Sequence, residues 1–304
     1  MAFNLDKVLM CHIEKKSVCA VVISYQPAVE FIKNIHALAA QVDEIIIVDN
    51  CSSRSGRAII EESAAGNNVT VIYNHENLGI GSALNTGIRF AKERGYEWIG
   101  TFDQDSRITS GFVKKMLNTY DLYSDKARVA ILSPQYRDQN TGRMIAGGNS
   151  SEDSLFKTLF TTMTSGNFVK VNMFDLIGCF NEDLFIDYVD HEFCLRVGYA
   201  GYSILEVNGA ILDHNLGDPT EHRVLNKIII ATNHAPHRRY YNSRNRVYLY
   251  KRYLLIFPAW VISDGWSLAK EIVKIFLFEQ DRKRKAASIM KGIVDGLLGK
   301  MGKL

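Results

Sequence analysis

Two aspartates one residue apart, Asp103 and Asp105, close the run Gly100-Thr101-Phe102-Asp103-Gln104-Asp105-Ser106. Carboxylate oxygens at that spacing can hold a hard divalent cation such as Mg²⁺ or Mn²⁺. A cation so held suits the diphosphate of an activated substrate. Asp-x-Asp alone is as readily a turn or a solvated loop, so its meaning depends on what else reaches it. A second acidic cluster, Asp187, Asp190 and Glu192, lies within Phe185-Ile-Asp-Tyr-Val-Asp-His-Glu-Phe. Asp190 falls where the apolar residues Phe193, Leu195 and Val197 bring in a helix. Aspartate there serves as a helix cap or as a general base.

The elements around the Asp pair decide between these readings. Val18 to Ile23 is a continuous apolar run rich in β-branched residues, which predicts a parallel strand buried on both faces. Pro27 fits the first position of a helix that carries Phe31, Ile35, Leu38 and Ala39 at helical spacing. Glu44–Val48 and Val69–Tyr73 are further strands, with a helix from about Arg57 to Ala64 between them and a turn at Gly66-Asn67-Asn68. A helix then carries Ile80, Ala83, Leu84, Gly87, Ile88 and Ala91 on its inner face, and Trp98–Phe102 is the fourth strand. Alternation of this kind predicts a doubly wound, mostly parallel sheet. Right-handed crossovers bring every strand's C-terminal end to one edge, where open α/β sheets bind ligands. Ser24, Tyr25, Asp49, Asn50, Asn77, Asp103 and Asp105 all follow strand ends and should converge there. Beyond Asp105 the expectations are a helix over about Thr109–Tyr120, a strand Val129–Leu132, a polar loop Gln135–Asn149 and a turn at Ser165-Gly166 into a strand. A short helix Val171–Phe180, a strand Gly201–Leu205 and a loop Asp213–Asp218 follow.

The 304 residues suit one large α/β domain with an appendage, and 47% hydrophobic with 23% charged residues is an ordinary globular profile. Five cysteines at irregular spacing exclude a disulfide framework and fit a reducing compartment. Neither a signal-peptide run in Met1–Lys16 nor a clear membrane span is present. No Gly-x-Gly-x-x-Gly follows the first strand and no Gly-x-x-x-x-Gly-Lys-Ser/Thr occurs, against a dinucleotide-binding domain and a P-loop NTPase. Asp49 can instead accept from a base N–H, and Asn50 and Asn77 can donate and accept.

On Val-Val-Ile-Ser-Tyr, Ile-Ile-Val-Asp-Asn, Asn-x-Gly-x-Gly-x-Ala-x-Asn (Asn77–Asn85), Phe-Asp-Gln-Asp-Ser, Ser-Gly-Asn-Phe, Phe-Ile-Asp-Tyr-Val-Asp and His-x-x-Gly-Asp, the chain resembles the inverting family 2 glycosyltransferases of GT-A fold. Within them it most resembles the bacterial rhamnosyltransferases of O-antigen and capsule synthesis. Each motif is weak, and the ordered set over Val18–Tyr250 is strong. The resemblance implies transfer of a sugar, L-rhamnose from dTDP-L-rhamnose, to a hydroxyl of a saccharide acceptor, often lipid-linked. Ser24, Tyr25 and Gln104 would line the nucleotide-sugar pocket. Asp49 would contact the base, and Asn50, Asn77 and Asn85 would shape its pocket. Asp103 and Asp105 would bind the metal–diphosphate, with His214 completing the metal shell and Arg244 on phosphate. Asp190 would be the catalytic base. Relatives often carry Glu-Asp where this chain has Val189-Asp190. The alternatives are transfer of another nucleotide-linked sugar, a sugar nucleotidyltransferase, or a non-catalytic scaffold. A nucleotidyltransferase would need a basic Gly-rich loop where Ser24-Tyr-Gln-Pro27 stands.

The expected division is a glycosyltransferase domain over 15–236 and a helical segment over 237–304. That segment holds 15 Lys+Arg against 5 Asp+Glu, on a body with 21 against 28. Ile262, Trp266, Ala269, Ile272, Val273, Phe276 and Leu277 fall on one helical face, and Asp264, Ser267, Lys270, Glu271 and Lys274 on the other, with Arg282-Lys-Arg-Lys285 next. An amphipathic helix beside a basic cluster suits an in-plane membrane contact, hence a cytoplasmic enzyme peripheral to the inner membrane. Packing on the body or in a homo-oligomer is the plainer use of such a helix. No nucleic-acid-binding motif accompanies the charge.

Overall fold

A computed structural model describes residues 17–66, 68–145, 154–215, 220–224 and 227–304. The N-terminal stretch, Asn67, the end of the Gln135–Asn149 loop, and Gly217 and Asp218 lie outside the described residues. The chain alternates as β1 (Val18–Ser24), α1 (Glu30–Ala39), β2 (Glu44–Asp49), α2 (Arg54–Ala64), β3 (Val69–Tyr73), α3 (Ile80–Glu93) and β4 (Trp98–Asp103). Then come β5 (Arg107–Ile108), α4 (Phe112–Leu122), β6 (Val129–Asp138), β7 (Met144–Ile145), β8 (Phe156–Leu159) and β9 (Asn167–Lys170). They are followed by α5 (Val171–Leu176), α6 (Val189–Tyr199), β10 (Ser203–His214), β11 (Thr220–Val224) and β12 (Lys227–Ala231). Three helices end the chain: α7 (Pro236–Tyr253), α8 (Pro258–Phe278) and α9 (Arg282–Leu297).

The main sheet runs β3-β2-β1-β4-β9-β6-β10-β5, with β7 and β8 at its margins. The first four strands are parallel, as the continuous apolar runs predict. Successive residues of β1 feed opposite cores. Val21 and Ile23 pack with Leu84 and Ile88 of α3 and Phe193 of α6. Val18, Ala20 and Val22 pack with Phe31 and Ile35 of α1, Ile60 of α2 and Phe112 of α4. Register pairs Ile23 with Asp103, Ser24 with Asp49, and Asp49 with Tyr73, so the polar strand exits share one edge.

Four local expectations shift. Helix α1 starts at Glu30, three residues after Pro27, because Gln26 takes a left-handed φ of 52° and gives its N–H to Ser52 Oγ. Helix α2 starts at Arg54, where Ser53 Oγ accepts from Gly56. Pro134 does not end β6, which continues to Asp138. Strand β10 also outruns its apolar start: a bulge between Glu206 and Ile211, with Gly209 at φ 77°, lets it resume pairing with β6 and β5 up to His214. Asp213 and His214 are therefore strand residues, not loop.

Beyond β4 the sheet is mixed, with β9 antiparallel to β4 and β6 and with β10 parallel to β6. Leu249 and Tyr253 of α7 join the core of α3 and α6, so the terminal helices are rooted in the body. Helix α9 approaches α7 closely: a Cβ on Gly292 would lie 2.4 Å from the Tyr240 carbonyl oxygen, and one on Gly296 2.7 Å from that of Arg244. Among the described residues no helix is long and apolar enough to cross a membrane.

Candidate active site

Asp103 is the last residue of β4, and Asp105 lies on the turn into β5. The Asp103 N–H donates to Ser165 Oγ at 3.0 Å, Ser165 donates to Ser106 Oγ at 2.7 Å, and Ser106 Oγ lies 3.0 Å from His214 Nδ1. This relay orients the imidazole, whose Nδ1 is 3.8 Å from an Asp105 oxygen. Ligand-capable atoms of Asp103, Asp105 and His214 all fall within 4.8 Å of one another. Burial, and after it the charge of Asp105, pushes the Asp103 carboxyl up to about 6; burial raises Asp105 as well. Two crowded, desolvated carboxylates with one imidazole are a donor set that a divalent cation would relieve.

Gln104 braces the pair. Its Oε1 accepts from the Tyr25 N–H at 2.8 Å, and its carbonyl accepts from Asn34 Nδ2 at 3.1 Å. Tyr25 is half-exposed at the edge, whereas Ser24 Oγ is fully buried with no hydrogen-bond partner among the described residues. A cleft of about 590 Å³ opens beside Gln104 and Asp105, bounded by Asn34, Arg107, Arg137 and Asp213.

Across the site, α6 presents Asp190 from its first turn. Tyr188, at φ 63°, is the residue that caps the helix, so Asp190 is not the cap. One Asp190 oxygen accepts the His191 N–H at 2.8 Å. Among the described residues Asp190 forms no ion pair, and its charge reaches Asp103 and raises that carboxyl. Its neighbours are committed elsewhere. Buried Glu192 is paired with Arg196 at 2.9 Å, and Asp187 with Arg238 at 3.1 Å. His214, and after it the charge of Arg238, offset part of the rise in the Asp103 and Asp105 carboxyls, so the partly exposed Arg238 guanidinium lies near the acidic group it joins through Asp187.

The other sequence-predicted residues divide. Asp49 reaches the edge but is fully buried, both oxygens accepting the Ser52 N–H, at 3.2 and 3.0 Å, with Arg57 at 3.7 Å. Its carboxylate holds the β2–α2 turn, and a base could reach it only if Ser52 yielded. Asn50 ties the exits of β2 and β3, donating to the Gly79 carbonyl at 3.1 Å and accepting from Asn74 Nδ2 at 2.8 Å. Asn77 Oδ1 accepts the Gly79 N–H at 2.9 Å, fixing the turn into α3. Asn85 leaves the pocket set: it exchanges hydrogen bonds with the Phe180 main chain, both at 2.9 Å, and donates to Glu182. Arg244 leaves it too. Its guanidinium is buried on the carbonyls of Asp183, Leu184 and Gly302 and on Asn245, unavailable to phosphate. Sequence reasoning missed Arg238, submerged in a basic run, and Ser165, although Ser-Gly-Asn-Phe was noted as a motif.

Comparison with known proteins identifies the family and the fold. Residues 19–181 match the model of the family described as glycosyl transferase family 2. Over 251 residues, 78% of this chain and 80% of the relative, the sequence is 31% identical to the dTDP-rhamnosyl transferase RfbF of Shigella flexneri. GalNAc-T7, solved with UDP, GalNAc and Mn²⁺, superposes with a TM-score of 0.56 at 13% identity, covering 77% of this chain but only 49% of that one. A mannosyltransferase of Pyrobaculum calidifontis, solved with GDP-Man and Mn²⁺, gives 0.55 at 13% identity over 93% of this chain and 87% of its own. At these identities the structural matches establish the fold.

Proposed function

This chain belongs to glycosyltransferase family 2, and from that premise we propose that it transfers L-rhamnose from dTDP-L-rhamnose to a saccharide hydroxyl. The observation that carries the reading is the 31% identity to a dTDP-rhamnosyl transferase over four-fifths of its length. The nucleoside diphosphate lies along the shared strand edge, bounded by Ser24, Tyr25, Asp49, Asn50, Asn77 and Gln104. Asp103, Asp105 and His214 would hold a divalent cation, Mg²⁺ or Mn²⁺, whose charge would neutralise that of the diphosphate. Arg238 supplies a second positive charge to the same leaving group. Asp190 takes the acceptor's proton as the hydroxyl oxygen attacks the anomeric carbon. The nucleoside diphosphate departs from the opposite face, so the configuration inverts in one displacement.

A ligand screen tests the donor. With Mn²⁺ present, dTDP-L-rhamnose is expected to raise the melting temperature more than UDP-GlcNAc or GDP-mannose at equal concentration, and a chelator to remove the difference. A larger shift with either of the others would overturn the donor assignment. Release of pyrophosphate from a nucleoside triphosphate would favour the nucleotidyltransferase alternative.

The acceptor end of the proposal rests on α8, which turns Asp264 and Glu271 inward with the buried Val261 and Ile275 and leaves a largely apolar face outward. Asp264 pairs with Arg246 at 2.8 Å, and Glu271 with Arg239 and Arg246, on the side turned to α7. Ile262, Trp266, Val273, Phe276 and Leu277 face outward and exposed, and Leu255 nearby is 95% exposed. Lys285 withdraws from the basic cluster to a buried pair with Glu279 at 2.8 Å, leaving Arg282, Lys283 and Arg284 at the surface. An apolar face flanked by cations matches an anionic bilayer surface, where a lipid-linked saccharide acceptor would be found, on the cytoplasmic face of the inner membrane. Vesicles containing phosphatidylglycerol are expected to sediment the wild-type chain, and Trp266→Glu to weaken that binding at least tenfold. Equal binding by both chains, or a concentration-dependent dimer that buries Trp266 instead, would contradict it.

A further inference from the structure

We propose that Asn245 of α7 is a positioning residue for Asp190, acting through the segment Phe185–Tyr188; this rests on Asp190 being the base. Phe185, Asp187 and Tyr188 have φ of 58°, 63° and 63°, a left-handed region disfavoured for residues with a Cβ. Three such residues in four persist only where the surroundings hold them.

The main restraint comes from one side chain. Asn245 is fully buried, and its Nδ2 lies 2.7 Å from the Leu184 carbonyl oxygen and 2.9 Å from those of Ile186 and Asp187. The left-handed turns aim these carbonyls toward α7, away from solvent, and the two N–H groups of a carboxamide serve the three between them, one N–H being shared. Arg244 adds bonds to the Asp183 and Leu184 carbonyls at 3.1 and 3.3 Å. On the far side the Phe185 carbonyl accepts the Ile80 N–H at 2.7 Å, against the turn that carries Asn77. Gly79, at φ 87°, leaves room for this contact: a Cβ there would lie 2.6 Å from the Phe185 oxygen.

The segment feeds directly into α6. Tyr188 caps that helix, its carbonyl accepting the Glu192 N–H at 2.9 Å, and Asp190 is in the first turn. Relaxation of Phe185–Tyr188 to ordinary φ values would rotate that turn and move the Asp190 carboxylate relative to Asp103. The Arg-Asn pair of α7 thus acts on the acceptor proton without touching donor or acceptor.

The test separates kcat from nucleotide affinity. Asn245→Ala is expected to lower kcat at saturating donor at least tenfold, with a much smaller loss of dTDP affinity in Mn²⁺, the part carried by Asp187 through Arg238. Asn245→Ser, which keeps one donor, is expected to fall between the two and is measured alone if the alanine variant does not fold. Lys285 itself touches none of 183–188, and Lys285→Met, which leaves Glu279 paired with Arg239, is expected to keep kcat within twofold below its melting temperature. Asn245 variants with unchanged kcat, a parallel loss of dTDP affinity, or an equal kcat loss in Lys285→Met would overturn the inference. Near-wild-type turnover in Asp190→Asn would instead remove the reading on which it rests.

Discussion

Asp190→Asn is expected to turn over about a thousandfold more slowly than the wild-type chain, within the range general-base removal produces. That loss is about 4 kcal/mol of transition-state stabilisation. The carboxamide keeps the shape and can still accept the His191 N–H, so the first turn of α6 should survive. It cannot take a proton from the acceptor hydroxyl. Nucleotide binding in Mn²⁺ should be largely intact, because none of the groups proposed for the donor lies on α6. The neighbouring carboxylates provide the contrast. Glu192→Gln weakens a buried pair with Arg196 and should act mainly on stability. Steady-state kinetics with saturating donor decides the matter, and turnover within tenfold of wild type would remove Asp190 from the mechanism.

Asp103→Asn should act in two opposite directions. Turnover and metal-dependent nucleotide binding are expected to fall at least a hundredfold, since the cation loses a ligand. Yet without a divalent cation the variant should melt higher than wild type above pH 6. The sign follows from linkage. The folded carboxyl is raised to about 6 from an ordinary value of 3.8, first by burial and then by Asp105. Between those values the folded chain keeps a proton that the unfolded chain has lost, so stability declines as pH rises through the window. Above it the buried charge costs its full amount, and an amide removes that cost. Melting curves from pH 4.5 to 7.5, with and without Mn²⁺, read both effects. A cation-free variant no more stable than wild type at pH 7.5 would contradict the burial argument. Undiminished Mn²⁺ stabilisation would contradict the ligand assignment.

The parallel half of the sheet was legible because strands buried on both faces must be apolar throughout. Once four such runs alternate with helices, handedness alone brings Asp49, Asn50 and Asp103 to one edge. Nothing local extends β10 past its bulge to His214; the pairing of that end, Leu212 and Asp213 with β5 and His214 with Asp138 of β6, is tertiary. Asn85 and Arg244 misled for a different reason. Their side chains suit a phosphate or a base as well as a main-chain carbonyl, and residue type does not reveal which partner folding supplies. Arg238 was hidden by the reverse case, a cation in a basic run whose partner, Asp187, lies 51 residues earlier. The period of α8 was readable, but not which face turned inward, since that depends on Arg239 and Arg246 of a different helix.

The proposed mechanism divides labour between the sheet edge, where Asp103, Asp105 and His214 take the cation and diphosphate, and α6, where Asp190 takes the acceptor proton. Electron paramagnetic resonance titration of Mn²⁺ in the presence of dTDP measures it most directly. One tightly bound Mn²⁺ per chain is expected for wild type and for Asp190→Asn, and none for Asp103→Asn. Full Mn²⁺ binding by Asp103→Asn, or its loss in Asp190→Asn, would contradict that division.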